Sequence, residues 1–176
     1  MKITNTPIGV LPPYQQMQFK HISQNLMLKR ETTKIKLIIE SNMRRYDFYF
    51  YNNIPTEIKE GAKSSYLNVD KGEEIICFCD YTFSKNGKRG VCLTTHAIYW
   101  KNELTSGQFV GYGAIYDTKT GFGLIINAVK YADNNNRDLD SKLIKVSSNY
   151  TTGKCTTSAA KELKKTLDEI VAYLNS

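Results

Sequence analysis

The middle of the chain carries short runs in which apolar and polar residues alternate. Period-two alternation with many β-branched and aromatic side chains is typical of β-strands. The Asn86–Gly87 pair between two of these runs favours a tight turn. Gly111 and Gly113 interrupt another run and predict a bend there. The pattern predicts seven strands, over Glu73–Thr82, Lys88–Thr94, Ala97–Asn102, Gln108–Thr118, Gly121–Ile126, Val129–Ala132 and Leu139–Ser147.

Two segments show a helical repeat instead. The longer one covers Ser158–Leu174 and ends the sequence. Its Leu163, Leu167 and Ile170 fall on one face, with charged residues on the others. A shorter helix is predicted over about residues 54–67, where Pro55 fits a first helical turn. Many strands closed by one amphipathic helix predict an α+β, mainly β fold in which that helix covers an apolar sheet face.

Residues 1–53 are set apart as an N-terminal extension. Within residues 34–40, the side chains of Ile35, Leu37 and Ile39 alternate with polar ones, apart from Ile38. An aromatic run with high strand propensity follows at residues 46–51. Together the two runs predict a β-hairpin at residues 33–51, joined by a turn.

Residues 54–176 resemble bacterial pleckstrin-homology-like domains. The resemblance rests on the stretches IPTEIKEGAKSSYLNVDKGEEIICFCDYTF, GVCLTTHAIYWKN and FVGYGAIYD, with Tyr99–Trp100 as the aromatic pair that ends the hairpin of strands two and three. It implies a partly open barrel of about seven antiparallel strands capped by the C-terminal helix. Members of this superfold bind phosphoinositides, peptides or proteins, so the fold does not fix a function.

Composition narrows the cellular setting and the partners. The net charge is +7, and residues 1–53 contribute most of it, with eight Lys and Arg against three acidic residues. Such a segment can attract nucleic acid, anionic lipid or an acidic protein, or simply keep the protein soluble. The four cysteines match no disulfide framework, which favours reduced thiols. With no signal peptide and no apolar run of membrane-spanning length, we expect a cytoplasmic protein without a transmembrane segment.

The loop between the first two predicted strands is the candidate ligand site. It carries Lys85, Lys88 and Arg89 around a glycine turn, and three cations there can hold a phosphate through charge-assisted hydrogen bonds. The alternative is an ordinary solvated hairpin turn. The resemblance points to the same loop, since some lipid-binding relatives hold phosphate there.

No catalytic or metal-binding constellation is visible in the sequence. His21 and His96 lie in different segments, and no nucleophile motif or nucleotide-binding glycine motif occurs. Cys77, Cys79 and Cys92 lack the spacing of a zinc site. We therefore expect a non-enzymatic protein that needs no metal and no cofactor. An enzyme whose site involves the N-terminal segment stays as an alternative.

The leading hypothesis is a protein-binding or scaffolding module. Its predicted partner is another protein or a second copy of the chain. Anionic lipid or phosphate at the membrane surface is the second hypothesis, and nucleic acid ranks last. The predicted interface, either within the chain or between chains, is the aromatic and cationic run of the extension, namely Arg44, Arg45, Tyr46, Phe48, Tyr49, Phe50 and Tyr51.

Overall fold

The computed structural model describes residues 29–43, 48–82, 84–120, 124–132, 137–144 and 157–176. The chain divides into two compact units, Met1–Lys34 and Ile35–Ser176. In the first unit, the described residues 29–34 are helical. The second unit contains all the described strands. Since it begins at Ile35, residues 35–53 belong to the same compact unit as residues 54–176.

The second unit has helices at both ends of its described sequence and strands between them. Helix α1 covers residues 35–42, α2 covers Thr56–Lys63 and α3 covers Thr157–Leu174. Short 3-10 turns occupy Tyr51–Asn53 and Tyr112–Ala114. The strands are β1 (Tyr49–Phe50), β2 (Ile75–Asp80), β3 (Gly90–Thr94), β4 (Ala97–Lys101), β5 (Gln108–Gly111), β6 (Ile115–Thr120), β7 (Leu124–Ala132) and β8 (Arg137–Ile144).

These strands form two antiparallel sheets in which sequence neighbours pair. The larger sheet has the order β1-β2-β3-β4-β5, and the smaller has the order β6-β7-β8. The prediction of an α+β fold with antiparallel strands and a C-terminal helix is therefore confirmed. No helix among the described residues is both long enough and apolar enough to cross a bilayer.

The larger sheet is buried on both faces. On one face its side chains join a core with α1 and α3, to which α3 contributes Leu163, Leu167 and Ile170, all fully buried. On the other face, Phe78 and Tyr99 pack with Ile58 and Ala62 of α2 and with neighbouring apolar residues. Burial on both faces explains why β3 has no exposed position at all.

The predicted hairpin at residues 33–51 is wrong in its first half, because residues 33–42 are helical rather than extended. Within α1, Ile35, Ile38 and Ile39 are buried at helical spacing, while Leu37 is 55% exposed. The period-two spacing of Ile35, Leu37 and Ile39 was therefore coincidental. Ile38, which breaks that spacing, lies on the buried face of the helix together with Ile35 and Ile39. In the second half of the predicted hairpin, the structure contains a two-residue strand, β1.

Two strand boundaries also differ from prediction. The long strand predicted over Gln108–Thr118 is divided by the 3-10 turn at Tyr112–Ala114 into β5 and β6, which lie in different sheets. The predicted glycine bend is therefore the corner between the sheets. Conversely, the two strands predicted over Gly121–Ile126 and Val129–Ala132 are one strand, β7, with a register shift at Val129/Tyr131. Asn127 and Ala128, the residues predicted to separate the two strands, pair regularly with Ser141 and Asp140 of β8, and this cross-strand pairing carries the strand through them.

Candidate anion-binding pocket

A buried carboxylate sets the shape of the loop between β2 and β3. Asp80 Oδ1 accepts hydrogen bonds from the backbone N–H of Thr82 at 2.9 Å and from its hydroxyl at 2.7 Å. Asp80 Oδ2 accepts a longer one from the N–H of Gly87 at 3.4 Å. The Thr82 hydroxyl in turn accepts from the N–H of Asn86 at 2.9 Å. These bonds satisfy loop backbone groups that would otherwise be buried without partners.

Helix α2 supports the same loop from outside the sheet. A Cβ added at Gly61 of α2 would lie 1.6 Å from the carbonyl oxygen of Asn86, and one added at Gly87 would lie 1.9 Å from that of Ile58. Gly87 also has a φ of 71°, where side chains are disfavoured. Helix and loop therefore meet backbone to backbone, and only glycine permits that approach at either position.

The loop between β4 and β5 closes the site from the other side. Arg89 Nη1 donates to Glu103 Oε1 at 2.6 Å, which ties the two loops together. A Cβ added at Gly107 would lie 2.3 Å from Cβ of Tyr66, so this loop also rests tightly on the residues that follow α2. Three segments distant in sequence thus meet at one place.

Between them lies an open pocket of about 390 Å³. Its cationic side chains are Lys88, Arg89 and Lys101, and hydroxyl and amide groups supply most of the remaining wall. None of the described residues that line it is acidic. The full lining is Ser65, Thr82, Ser84, Asn86, Lys88, Arg89, Lys101, Asn102, Leu104 and Thr105.

Two of the cations, Lys101 and Arg89, are held in place by side-chain contacts. Lys101 Nζ donates to the Ser65 hydroxyl at 2.8 Å, and that hydroxyl donates to the backbone oxygen of Lys88 at 3.0 Å. Lys101 and Arg89 are half-buried, whereas Lys88 is exposed. Two ammonium groups and one guanidinium around a polar hollow are the donors that a phosphate or carboxylate requires.

The structure retains part of the predicted triad and adds one residue to it. Lys88 and Arg89 line the pocket, whereas Lys85 does not. The added cation is Lys101, at the end of β4, where the sequence pattern indicates only a strand residue. The antiparallel register brings it in, since Lys101 pairs with Gly90, the residue after Arg89. Aligning the predicted strands Lys88–Thr94 and Ala97–Asn102 as an antiparallel hairpin would have placed Lys101 near Arg89.

A second hollow, along the outer side of α3, has a different electrostatic character. Lys164 and Lys165 line it together with Asp168 and Glu169. Each of these lysines pairs with the carboxylate four residues later, Lys164 with Asp168 and Lys165 with Glu169. Their charges are therefore matched along the helix, which makes this surface a weaker candidate for an anion.

The described residues of the predicted interface are buried or half-buried. Phe48 and Phe50 are buried in the core that contains α1 and α3. Tyr49 and Tyr51 are half-buried, and the hydroxyl of Tyr51 donates to Glu40 Oε1 at 2.6 Å. Arg44, Arg45 and Tyr46 lie outside the described residues. Phe48 and Phe50 thus contribute to an interface within the chain.

The cysteines and histidines offer no reactive centre among the described residues. Cys77 and Cys92 are free and fully buried, and burial raises the pKa of both thiols, which keeps them protonated. Cys79 is disulfide-bonded, so the expectation of reduced thiols fails for Cys79. His96 lies exposed in the β3–β4 turn, and His21 is not among the described residues.

Metal binding finds no support in the described part of the chain, where no group of three or more His, Cys, Asp or Glu side chains is placed to hold an ion. The alternative of an enzyme site that involves residues 1–53 falls largely on residues that the structure does not describe. It stays a prediction.

Comparison with known proteins adds no relative. No protein-family model matches the chain, and neither a curated protein nor a solved structure shows significant similarity to it. Function must therefore be inferred from the chemistry of the pocket itself.

Proposed function

We propose that this protein is a non-enzymatic binding module whose pocket takes a phosphate-bearing ligand. The observation that carries the proposal is the convergence of Lys88, Arg89 and Lys101 on a hollow whose described lining contains no carboxylate. Lys88 and Lys101 have no carboxylate partner in the described lining, and the repulsion between neighbouring positive charges costs folding energy that a bound anion would remove.

We also propose that the fold is pleckstrin-homology-like. In support, β2–β5 and β6–β8 form two antiparallel sheets of consecutive strands, and α3 follows them and packs into the core. That order agrees with the two-sheet barrel and terminal helix implied by the resemblance. Strand β1 and helix α1 would then be additions contributed by residues before the domain.

The ion pair between Arg89 and Glu103 opposes anion binding. The Glu103 side chain is 71% exposed, and ion pairs at such positions contribute about 0–1 kcal/mol. Hydrogen bonds from cationic groups to an anion contribute about 1.5–3 kcal/mol each. A phosphate that bonds two or three of the cations would therefore displace Glu103 from Arg89.

Titration of the protein with glycerol 3-phosphate, followed by calorimetry or NMR, tests the proposal. Lys101→Ala should weaken binding by roughly tenfold or more, because one charge-assisted hydrogen bond is lost. Lys85→Ala is the matched control, since it removes a lysine from the same region that does not line the pocket. Glu103→Gln should strengthen binding by freeing Arg89 from its competitor.

Three results would count against the proposal. The first is no saturable binding of glycerol 3-phosphate at low salt. The second is equal loss of affinity in Lys101→Ala and Lys85→Ala, which would indicate attraction by net charge alone. The third is weaker binding by Glu103→Gln, which would show that the carboxylate belongs to the site.

A second candidate is protein binding, and one observation favours it. Among the described strands, β5 lies at the end of the larger sheet and pairs with β4 alone. Phe109 on β5 is 63% exposed while stacked on Tyr99. An edge strand with an exposed aromatic side chain can accept a strand from a partner or from a second copy. Sedimentation of the wild type and of Phe109→Lys would detect self-association that depends on this edge.

A further inference from the structure

The larger sheet ends in a strand that has little protection against pairing with another chain. Among the described strands, those at the ends of the two sheets are β1, β5, β6 and β8. Strand β1 has only two residues, and β6 and β8 contain charged residues. Strand β5 has four residues and contains neither a charge nor a proline. Shortness, charge and proline are the usual means by which an edge strand avoids other chains, so β5 is the least protected of these edges.

The backbone groups of Phe109 and Gly111 point away from β4. The N–H of Tyr112 donates to the backbone oxygen of His96 at 3.0 Å, which makes these two residues a hydrogen-bonded pair. Bonded and non-bonded pairs alternate along an antiparallel ladder. In the observed register, Val110 therefore bonds to β4, whereas Phe109 and Gly111 direct their N–H and C=O groups outward.

Gly111 is a glycine that its own surroundings do not require. Its φ of −64° and ψ of 141° are extended values that other residues adopt readily. A Cβ added there would meet one atom within 4 Å, the backbone oxygen of His96 at 4.0 Å. The space above Gly111 is therefore open. It lies on the same sheet face as the side chain of Phe109, two residues earlier, which stacks on Tyr99.

Exposed apolar side chains gather around the same strand. Phe109 lies on β5, Leu104 lies in the loop before it, and Tyr116 lies on β6 just after the corner. Leu104 is as accessible as in an extended peptide, and its φ of 58° is disfavoured for a residue with a Cβ. A leucine in this state adds no packing to a single chain. Its apolar surface is available to another one.

We propose that two copies of this chain pair through β5, antiparallel about a two-fold axis at Val110. Phe109 of each copy would lie opposite Gly111 of the other, and each such pair would exchange both backbone hydrogen bonds. The ring of Phe109 would cover the open space above that glycine, as aromatic side chains do at glycines in designed sheets. Antiparallel pairing sets the start of one strand beside the end of the other, so Leu104 would approach Tyr116 of the second copy.

The occupant is a second copy because β5 is complementary to itself. The exposed ring and the open glycine lie two residues apart on one face, so a single two-fold operation satisfies both at once. Contacts of this isologous kind build most homodimers. The inference rests on the second candidate function, protein binding at β5. It is independent of phosphate binding, because Phe109, Val110 and Gly111 do not line the pocket.

Sedimentation velocity of the full chain over a range of protein concentrations tests the inference. The wild type should pass from monomer to dimer as its concentration rises. Gly111→Pro should weaken dimerisation by roughly tenfold or more, because it removes an outward N–H and places a ring where the second strand must approach. The same variant should melt no lower than the wild type, since proline suits a φ of −64° and the lost N–H has no partner in the ladder with β4. Leu37→Lys is the control, because it changes an exposed leucine on α1 and should dimerise as the wild type does.

Amide hydrogen exchange checks the register of the pairing. The N–H groups of Phe109 and Gly111 should gain protection as the wild type dimerises, whereas that of Val110 should be protected at every concentration. A dimer in which the Phe109 and Gly111 amides stay unprotected, or a Gly111→Pro dimer as tight as that of the wild type, would overturn the inference. A wild type that is monomeric throughout would overturn it as well and would leave β5 to a strand from a different protein. Glycerol 3-phosphate titration reports on the pocket separately, so none of these results decides the phosphate proposal.

Discussion

Gly61 is a position where a single methyl group should disturb both stability and the pocket. In most helices Gly→Ala is stabilising by about 1 kcal/mol, because alanine loses less backbone entropy. Here α2 presents Gly61 directly to the loop, and the added Cβ would lie 1.6 Å from the oxygen and 2.8 Å from the carbon of the Asn86 carbonyl. Both atoms belong to the backbone, so no side-chain rotation can relieve the clash.

The size of the effect follows from that distance. Ordinary contact begins at 3.4 Å, so the helix and loop backbones would have to separate by roughly 1.8 Å. Overpacking of this kind costs about 1–3 kcal/mol, which exceeds or cancels the gain in helix propensity. We expect a net loss of about 0–2 kcal/mol, with the melting temperature lower by about 2–4 °C for each kcal/mol in a chain of this size.

The same shift should weaken anion binding. Asn86 lines the pocket, and Lys88 and Arg89 follow it within three residues, so a displaced loop moves two of the three cations away from Lys101. Gly113→Ala is the control, because a Cβ there has no atom within 4 Å and the residue has no positive φ. Thermal unfolding and glycerol 3-phosphate titration of both variants measure the two effects. A Gly61→Ala protein as stable as wild type, with unchanged affinity, would refute the packing of α2 on this loop.

Other consequences concern the core and its ionisable groups. Ile39→Ala should lower the free energy of unfolding by about 2–5 kcal/mol, while Leu37→Ala should cost less than about 1 kcal/mol. Denaturant unfolding would measure both free energies. Equal losses would contradict the helix at these residues and favour the strand predicted from the sequence. Cys77 and Cys92 should resist iodoacetamide in the folded protein, and mass mapping that finds them alkylated before unfolding would contradict their burial. Stability should fall as pH rises above about 10, because burial raises the pKa of Tyr112 well above its ordinary value of 10.0. There the unfolded state releases a proton that the folded state keeps; melting temperatures from about pH 8 to about pH 11 that stay constant would argue against it.

The helix α1 shows how a local pattern can mislead. The isoleucines at positions 35, 38 and 39 are compatible with two structures. One is a strand whose alternation is broken once, and the other is a helix with a short apolar face. Residues 33–42 contain no glycine or proline to break either structure. The choice was made by packing, because the helical form buries all three isoleucines in the core that α3 also joins.

The order of most elements can be read from the amino-acid sequence alone. Period-two runs predicted β2, β3 and β4, and the leucine stripe predicted α3. Both predictions work because alternation in a strand and burial of one helix face are visible in the local order of apolar and polar residues. The sequence also placed Lys88 and Arg89 directly after a tight turn, since Asn86–Gly87 is a turn signal that needs no tertiary information.

Contacts between distant segments determine which of those residues come together. Lys101 and Leu104 reach the pocket through the pairing of β3 with β4, and Ser65 reaches it because glycines let α2 and the segment after it approach two loops. Lys85 has the same charge and lies nearer to Lys88 in sequence than Lys101 does, yet it does not line the pocket. A pocket is made by contacts between segments that are distant along the chain. The free energy of those contacts cannot be read from the hydrophobic period of any one segment.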